Sequence, residues 1–235
     1  MKISIIIPTY NESECIIDLL EYLKTCADTN VKEIVVIDGQ SSDNTVQKVE
    51  ESGFKCFISP KKGRAYQMNY GAERTNGEVL YFIHADSIPP KTYASDIVKA
   101  VQNRAESGCY RFTFDSEHPL LKINAWFTRF DQLMCRGGDQ TLFIKREVFN
   151  ALNGFKNYAI MEDFEMIHRL RKRGSFQIIP KDIVISARKY DQNNYLKVNF
   201  INLIIFIMFY LGISQDTMVN VYQKLVKGTK FGELS

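Results

Sequence analysis

The sequence predicts an α/β protein built on a mostly parallel sheet with helices on both faces. Three observations carry this. Short apolar, β-branched runs recur through the first 86 residues. Stretches with helical apolar spacing fill the intervals between them. The runs lack polar alternation, as in strands buried on both faces.

In order, "ISIII" (3–7) is the first strand, and "NESECIIDLLEYLK" is a helix with Ile16, Leu19, Leu20 and Leu23 on one side. Asn11 and Glu14, three apart, resemble a capping box for it. "EIVVID" (33–38) is the second strand, and "SSDNTVQKVEES" opens a helix at a Ser/Asp cap. "FKCFIS" (54–59) is the third strand. "GRAYQMNYGAERTNG" is a helix with Ala65, Met68 and Ala72 on one face, closed by Gly77, and "EVLYFIHAD" follows as the fourth strand. The pattern then loosens. Residues 91–104 read as a helix, "GCYRFTF" (108–114) as an edge or antiparallel strand, and "PLLKINAWFTRFDQLM" as an amphipathic segment. "DQTLFIKREVFNALNGF" reads as a strand and a short helix. "MEDFEMIHRLRKRG" is a helix with acids first, bases last and Gly174 after its end, an order that suits the helix dipole. "FQIIPKDIVISA" is read as two short strands. Residues 1–190 are expected to form one domain and 191–235 a helical extension.

With 45% hydrophobic residues among 235, a sizeable core is expected. A net charge of +3 argues against a dedicated nucleic-acid binder. Five cysteines without a CxxC pair read as reduced thiols of a cytoplasmic protein, not as a disulfide frame or zinc site. The apolar run in "MKISIIIPTY" is too short for a signal peptide and is broken by Pro8. Residues 203–211, "LIIFIMFYL", fall short of the roughly 20 residues that span a bilayer. A buried helix is the plain reading. Peripheral membrane contact at the inner face, or a homodimer, through 196–213 is the alternative.

Ligands of open parallel sheets bind beyond the carboxyl ends of the strands. Four polar clusters are expected there: Pro8, Thr9, Tyr10, Asn11 and Glu12; Asp38, Gly39 and Gln40; Lys61, Lys62, Gly63 and Arg64; and His84, Ala85 and Asp86. An aromatic ring, carboxylates and cations in one place suit a nucleoside diphosphate, with Asp86 for a divalent metal. Read singly, Asp38 is a turn residue, Arg64 and Lys61 are surface charge, and His84 is a strand-end histidine; it is their joint position that argues for a site. Neither GxGxxG nor GxxxxGK[ST] occurs, which weakens dehydrogenase and kinase readings.

These segments together resemble family 2 glycosyltransferases of the GT-A fold. "SIIIPTYNE" is similar to that family's opening strand and nucleotide loop, and "EIVVIDGQSSDNT" to its second strand with a nucleotide-binding acid. "GRAYQMNYGAERTNGEVLYFIHADS" is similar to the segment ending in its D-x-D motif, and "MEDFEMIHRLRKRG" to the helix with its E-D pair. The order matches from residue 3 to about residue 190, and "GRAYQMN…HAD…GGDQTLF" resembles a bacterial subgroup of small single-domain members. The resemblance implies an inverting, metal-dependent sugar transfer from a nucleotide-sugar, with UDP-sugar as donor and a hydroxyl acceptor. It implies Tyr10 near the base, Asp38 accepting from the base imide, Glu12 by the ribose and Arg64 by the base or pyrophosphate. Asp86 would be the ligand of Mn²⁺ or Mg²⁺, Asp163 the general base, and Asp139 with Gln140 would contact sugar or acceptor. Pro8 and Ala85 belong to the nucleotide-binding segments. The chain departs from D-x-D at His84-Ala85-Asp86, which leaves one hard-oxygen ligand. His84 then binds the metal, the ribose or a phosphate. Cell-envelope or polysaccharide synthesis is the implied setting. Two other readings stay open: a sugar nucleotidyltransferase, and a non-catalytic nucleotide-sugar-binding scaffold. Glu162 and Asp163 are also readable as dipole-stabilising acids, His168 as structural, Arg188 as a diphosphate contact or surface charge, and "RLRKR" (169–173) as a solvated helix end.

Overall fold

The computed structural model describes residues 1–130, 141–191 and 193–227. Seven consecutive buried residues make β1 (Ile3–Thr9) a central strand. It pairs in parallel with β2 (Val31–Asp38) on one side and β4 (Val79–Phe82) on the other. β3 (Lys55–Ile58) lies parallel outside β2. Beyond β4 the sheet turns mixed. β7 (Leu142–Lys145) is antiparallel to β4 and to β6 (Ser107–Phe114), while β8 (Phe176–Ile185) is parallel to β6. The two-residue β5 (Ser87–Ile88) closes that edge, giving eight strands in the order β3-β2-β1-β4-β7-β6-β8-β5.

The period-two geometry of a strand divides the core into two layers. Ile3, Ile5 and Ile7 pack with α1 (Ile16–Thr25) through Leu19, Leu20 and Leu23, and with α4 (Tyr93–Gln102) through Ile97. Val49 of α2 (Thr45–Glu51) and Leu121 of α5 (Pro119–Phe127) join that layer. On the other face, Ile6 meets α3 (Arg64–Glu73) through Ala65, Met68 and Ala72. α6 (Arg146–Ala151) and α7 (Glu162–Arg173) complete this layer through Val148, Phe149, Met166, Ile167 and Leu170. Burying each of the larger side chains among these (Val, Leu, Ile, Met and Phe) contributes about 1.5–3 kcal/mol. A third cluster joins Ile160 to α9 (Tyr195–Tyr210) and α10 (Gln215–Leu225) through Ile201, Ile205, Met218 and Val219. A short α8 (Arg188–Asp191) links β8 to this pair.

Pro8 sits inside a central strand, where its missing N–H would normally break a ladder. Here the β1–β4 register ends at Ile6↔Phe82, while Pro8 continues opposite Ile37 on the β2 side only.

Three local expectations change, and a fourth, the edge or antiparallel strand, resolves to its antiparallel alternative. The capping box does not form: α1 starts at Ile16 with no side-chain cap, and Asn11, at φ 55°, directs its side chain to the next loop instead. α3 ends at Glu73, before Gly77; a Cβ on Gly77 would stand 2.6 Å from the Ser4 nitrogen, so the glycine serves close approach of chains. The "GCYRFTF" strand lies between β7 and β8, antiparallel to β7 but not at an edge, and a Cβ on Gly108 would stand 2.0 Å from the Gln177 carbonyl. "FQIIPKDIVI" is one strand with a register shift: Tyr110↔Ile179 is followed by Arg111↔Asp182, which leaves Pro180 and Lys181 as the irregularity. Proline cannot donate to a ladder, so the bulge falls there.

Candidate active site

The parallel register brings the ends of β1 and β2 side by side, with Thr9 opposite Asp38. Gln67 of α3 clamps them from beneath, its Nε2 donating to the carbonyls of Thr9 (2.8 Å) and Ile37 (2.7 Å). Asp38 is 0% exposed. Its carboxylate accepts from the Ser41 amide (2.7 Å), the Ser41 hydroxyl (2.5 Å) and Thr9 Oγ1 (3.4 Å). Ser41 Oγ also accepts from the Asn11 amide at 2.8 Å, and Asn11 Oδ1 accepts from the Ser42 amide at 2.8 Å. The two loops are thereby tied together. Asn11 and Gln40 both adopt left-handed backbone, at φ 55° and 66°; non-glycine residues held there store strain that collects at functional sites. Lys62 Nζ stands 5.8 Å from the centre of the Tyr10 ring, a cation beside an aromatic face.

Glu12 has its amide on Thr45 Oγ1 (2.9 Å) and its carboxylate 3.2 Å from an Arg188 guanidinium nitrogen. The same nitrogen is 3.9 Å from Asp86 Oδ2. Arg188 thus stands between carboxylates contributed after β1 and after β4, and its own pKa is raised: burial opposes the charge, but Glu12 and Asp86 favour it more. Cys15 Sγ lies 3.3 Å from Glu12 Oε2, and burial together with that carboxylate pushes the thiol up to about 12. It is a protonated donor at neutral pH, not a nucleophile.

Residues 84–86 run between β4 and β5, anchored by the Ser186 amide donating to the Asp86 carbonyl and the Ser87 amide donating to that of His84. His84 Nε2 is 4.0 Å from Asp163 Oδ2, and both side chains are largely buried. Asp163 and Glu162 open α7, after Met161 in left-handed backbone at φ 68°. Arg64, the first residue of α3, places Nε 2.9 Å from Glu162 Oε1. The Glu162 side chain is 2% exposed, yet among the described residues neither of its oxygens accepts a well-directed hydrogen bond. A buried carboxylate in that condition calls for a ligand or ordered water.

The contacts therefore link Asp38 and Ser41 to Asn11, Glu12 to Arg188 and Asp86, His84 to Asp163, and Glu162 to Arg64. Pro8 and Ala85 are buried backbone supports within these segments. Asp139 and Gln140 lie outside the described residues. Sequence reading passed over Ser41 and Gln67. A serine three residues after a strand-end aspartate is an Asx-type turn signal, and Gln67 is a polar residue beside Ala65 and Met68 on the inward side of α3. Glu162 was visible as a helix-start acid and as the first member of the E-D pair that the resemblance implies, but not as a buried partner of Arg64.

As to a metal, no group of three or more His, Cys, Asp or Glu side chains among the described residues is placed to hold an ion alone. Asp86, with its side chain 41% exposed and Arg188 3.9 Å away, supplies one solvent-accessible hard-oxygen donor. That fits an ion taking its remaining ligands from water and a substrate diphosphate, as Mg²⁺ commonly does. It does not fit an all-protein cage.

The sequence model of glycosyl transferase family 2 matches residues 4–158. The dolichol-phosphate mannosyltransferase of Pyrococcus furiosus is 30% identical over 45% of this chain and 32% of its own. The "Probable glycosyltransferase YdaM" of Bacillus subtilis is 26% identical over 74% of this chain and 47% of its own. The chain thus spans half or less of the length of these curated relatives. Among solved structures, TarS of S. aureus (residues 1–349) in complex with UDP-GlcNAc matches at TM-score 0.66 and 16% identity, over 97% of this chain and 74% of that one. Glucosyl-3-phosphoglycerate synthase from Mycobacterium tuberculosis, in complex with Mn²⁺, UDP and glucosyl-3-phosphoglycerate, matches at TM-score 0.64 and 16% identity, over 91% and 81%. These likenesses show the GT-A fold, and with the family model spanning β1 through α6 and the segment beyond it, the chain belongs to glycosyl transferase family 2.

Proposed function

We propose that this chain transfers a sugar from a nucleotide-sugar, with UDP-sugar as the donor, to a hydroxyl acceptor, with inversion and with help from a divalent metal. The observation that carries the reading is the opening of α7: Asp163 faces His84 across 4.0 Å, two residues from Asp86. A carboxylate for the acceptor and a carboxylate for the diphosphate then flank one reacting centre. Asp163 takes the proton from the acceptor hydroxyl as its oxygen bonds to the anomeric carbon; the bond from that carbon to the diphosphate breaks, and the nucleoside diphosphate leaves with the electron pair. A single displacement of this kind inverts the anomeric centre. His84 positions the Asp163 carboxylate. Glu162, buried and without a well-directed partner among the described residues, receives donor-sugar hydroxyls, with Arg64 holding it in place.

Tyr10 stacks near the base and Lys62 beside it serves the phosphates. Asp38, fully buried and engaged by Ser41, acts by fixing the turn that receives the base, and meets the base only if Ser41 yields a bond. Glu12 sits by the ribose, and Arg188 stands 3.9 Å from Asp86. Asp86 would hold Mn²⁺ or Mg²⁺, which when bound neutralises charge on the diphosphate. Asp139 is retained as a sugar or acceptor contact. Residues 1–190 form the catalytic domain and 191–235 the extension.

The test is transfer of radiolabelled sugar from a panel of sugar nucleotides, paired with UDP calorimetry in Mn²⁺ and in chelator. Label reaching an acceptor supports a transferase. Pyrophosphate release from a nucleoside triphosphate would instead mark a nucleotidyltransferase, and UDP binding without turnover of any sugar nucleotide a scaffold. Equal UDP affinity in both buffers would end the metal assignment.

A further inference from the structure

The donor site leaves one sequence feature unused, the apolar stretch that became α9. One side of this helix packs with α10 and Ile160 through Ile201 and Ile205. The other side carries Leu196, Phe200, Leu203, Ile207 and Tyr210, all exposed. Their spacing places them in a single stripe. α5 meets α9 where Asn124 donates to Asn199 at 3.5 Å. Exposed Ile123 and Phe127 lie within one turn of Asn124, Trp126 packs against Phe127 with ring centres 5.3 Å apart, and exposed Leu196, Phe200 and Leu203 lie within about one turn of Asn199. The exposed apolar side chains of two helices therefore flank one contact. Large apolar residues scattered singly on a surface need no account, but a contiguous group of them does.

The charges select what covers it. Neither α5 nor α9 contains an acidic residue. Lys122, Arg129 and Lys197 are exposed on or beside these helices, Lys122 paired with Glu117 just ahead of α5. Two Trp- and Phe-bearing helices with basic and no acidic residues of their own, Glu117 lying ahead of α5, complement anionic lipid headgroups. A helical partner would use the same stripe but border it with charges of both signs, and α9 carries Lys197 and no acid. No helix among the described residues is long and apolar enough to cross a membrane, so the face would lie along the surface. It also adjoins the start of α7: Phe206 packs on Phe164, the neighbour of Asp163, with ring centres 5.7 Å apart.

We propose that the α5–α9 face seats the protein on an anionic bilayer, with the opening of α7 held beside the lipid headgroups. The docking does not depend on the role assigned to Asp163. Trp126 is the single tryptophan of the chain, 48% exposed and packed on Phe127 at the border of this face, so its emission reports insertion of the α5 end. The full chain is mixed with vesicles of phosphatidylcholine alone, or with a third phosphatidylglycerol, and followed by tryptophan emission and by flotation. The expected result is a blue shift and co-flotation with anionic vesicles, and partition at least about tenfold weaker on the neutral ones. The double variant Phe200→Glu, Ile207→Glu is expected to lose both signals while keeping its melting temperature and its UDP affinity. Absence of a shift and of flotation, or equal partition on both vesicles, would overturn the proposal. So would a wild-type dimer in sedimentation that the double variant dissociates without either protein binding vesicles, since the face would then be a contact between copies. UDP affinity, measured on the same samples, separates failure of this surface from failure of the donor site.

Discussion

The two sides of the site are built differently. On the side of Asp38 and Glu12, every group stands at the end of a parallel strand, and the order comes from the sheet itself: adjacent register, the Gln67 clamp on two carbonyls, and the Ser41–Asn11 tie. On the side of Asp163, the opening of α7 is fixed from outside the sheet. The amides of Ala159 and Ile160 both donate to Gln215 Oε1 of α10, at 3.0 and 3.1 Å. Met161 then turns through left-handed backbone into Glu162 and Asp163. The first side is a property of strands β1 and β2. The second depends on a helix some fifty residues later in the chain, which gives α10 a role beyond packing. The difference predicts that damage to the two sides will separate binding from turnover.

The strongest test removes the proposed base and leaves everything else. Asp163→Asn is isosteric and keeps the neighbourhood of His84, so UDP affinity and melting temperature are expected to hold while kcat falls about 10²–10⁴-fold. A variant that keeps wild-type kcat would remove Asp163 from the chemistry and with it the contrast between the two sides.

A paired experiment sharpens the contrast. Gln67→Ala deprives the Thr9 and Ile37 carbonyls of a buried donor, and is expected to cost about 1–3 kcal/mol of stability and to weaken UDP binding. Gln215→Ala frees two amides at the loop before α7. Its expected effect is a drop in kcat of about tenfold, equivalent to about 1.4 kcal/mol in the barrier, with UDP affinity unchanged. Should Gln215→Ala weaken UDP binding as much as Gln67→Ala does, the two sides would be one cooperative unit.

The same asymmetry explains what the sequence disclosed. The strands near the amino end were legible because burial on both faces leaves continuous apolar runs, and strand-end residues such as Asp38 and Asp86 follow from chain order alone. The α7 acids were legible as a helix start, but not their surroundings. Nothing local to Met161 announces left-handed backbone, and nothing near Gln215 announces that it serves residues 159 and 160. The shift within β8 was half visible: Pro180 marks it, yet one strand with an irregularity and two short strands share the same apolar pattern, and only pairing with β6 decides between them. Asn11 misled for a physical reason: an Asn near a helix start can cap that helix or bind the neighbouring loop, and the Ser42 amide won.

The smallest expected effect concerns the acid limit of the β1–β2 side. Asp43, in the loop that precedes α2, accepts from the Ser13 amide (3.2 Å) and from the amide and hydroxyl of Thr45, whose hydroxyl also receives the Glu12 amide. Burial pushes the Asp43 carboxyl up, but the bonds from Thr45 and Ser13 outweigh it and bring the group down to about 2. Because the folded value lies below the usual 3.8, the charged carboxylate stabilises the fold above that pH, and the contribution disappears as pH falls through about 2. Asp43→Asn should therefore lower the melting temperature slightly at pH 5, with the difference from wild type closing toward pH 2. Since Thr45 holds the Glu12 amide, the variant should also weaken UDP binding at pH 7 without touching the turnover rate at saturating donor. A loss of turnover at unchanged affinity would place this loop with the α7 side instead.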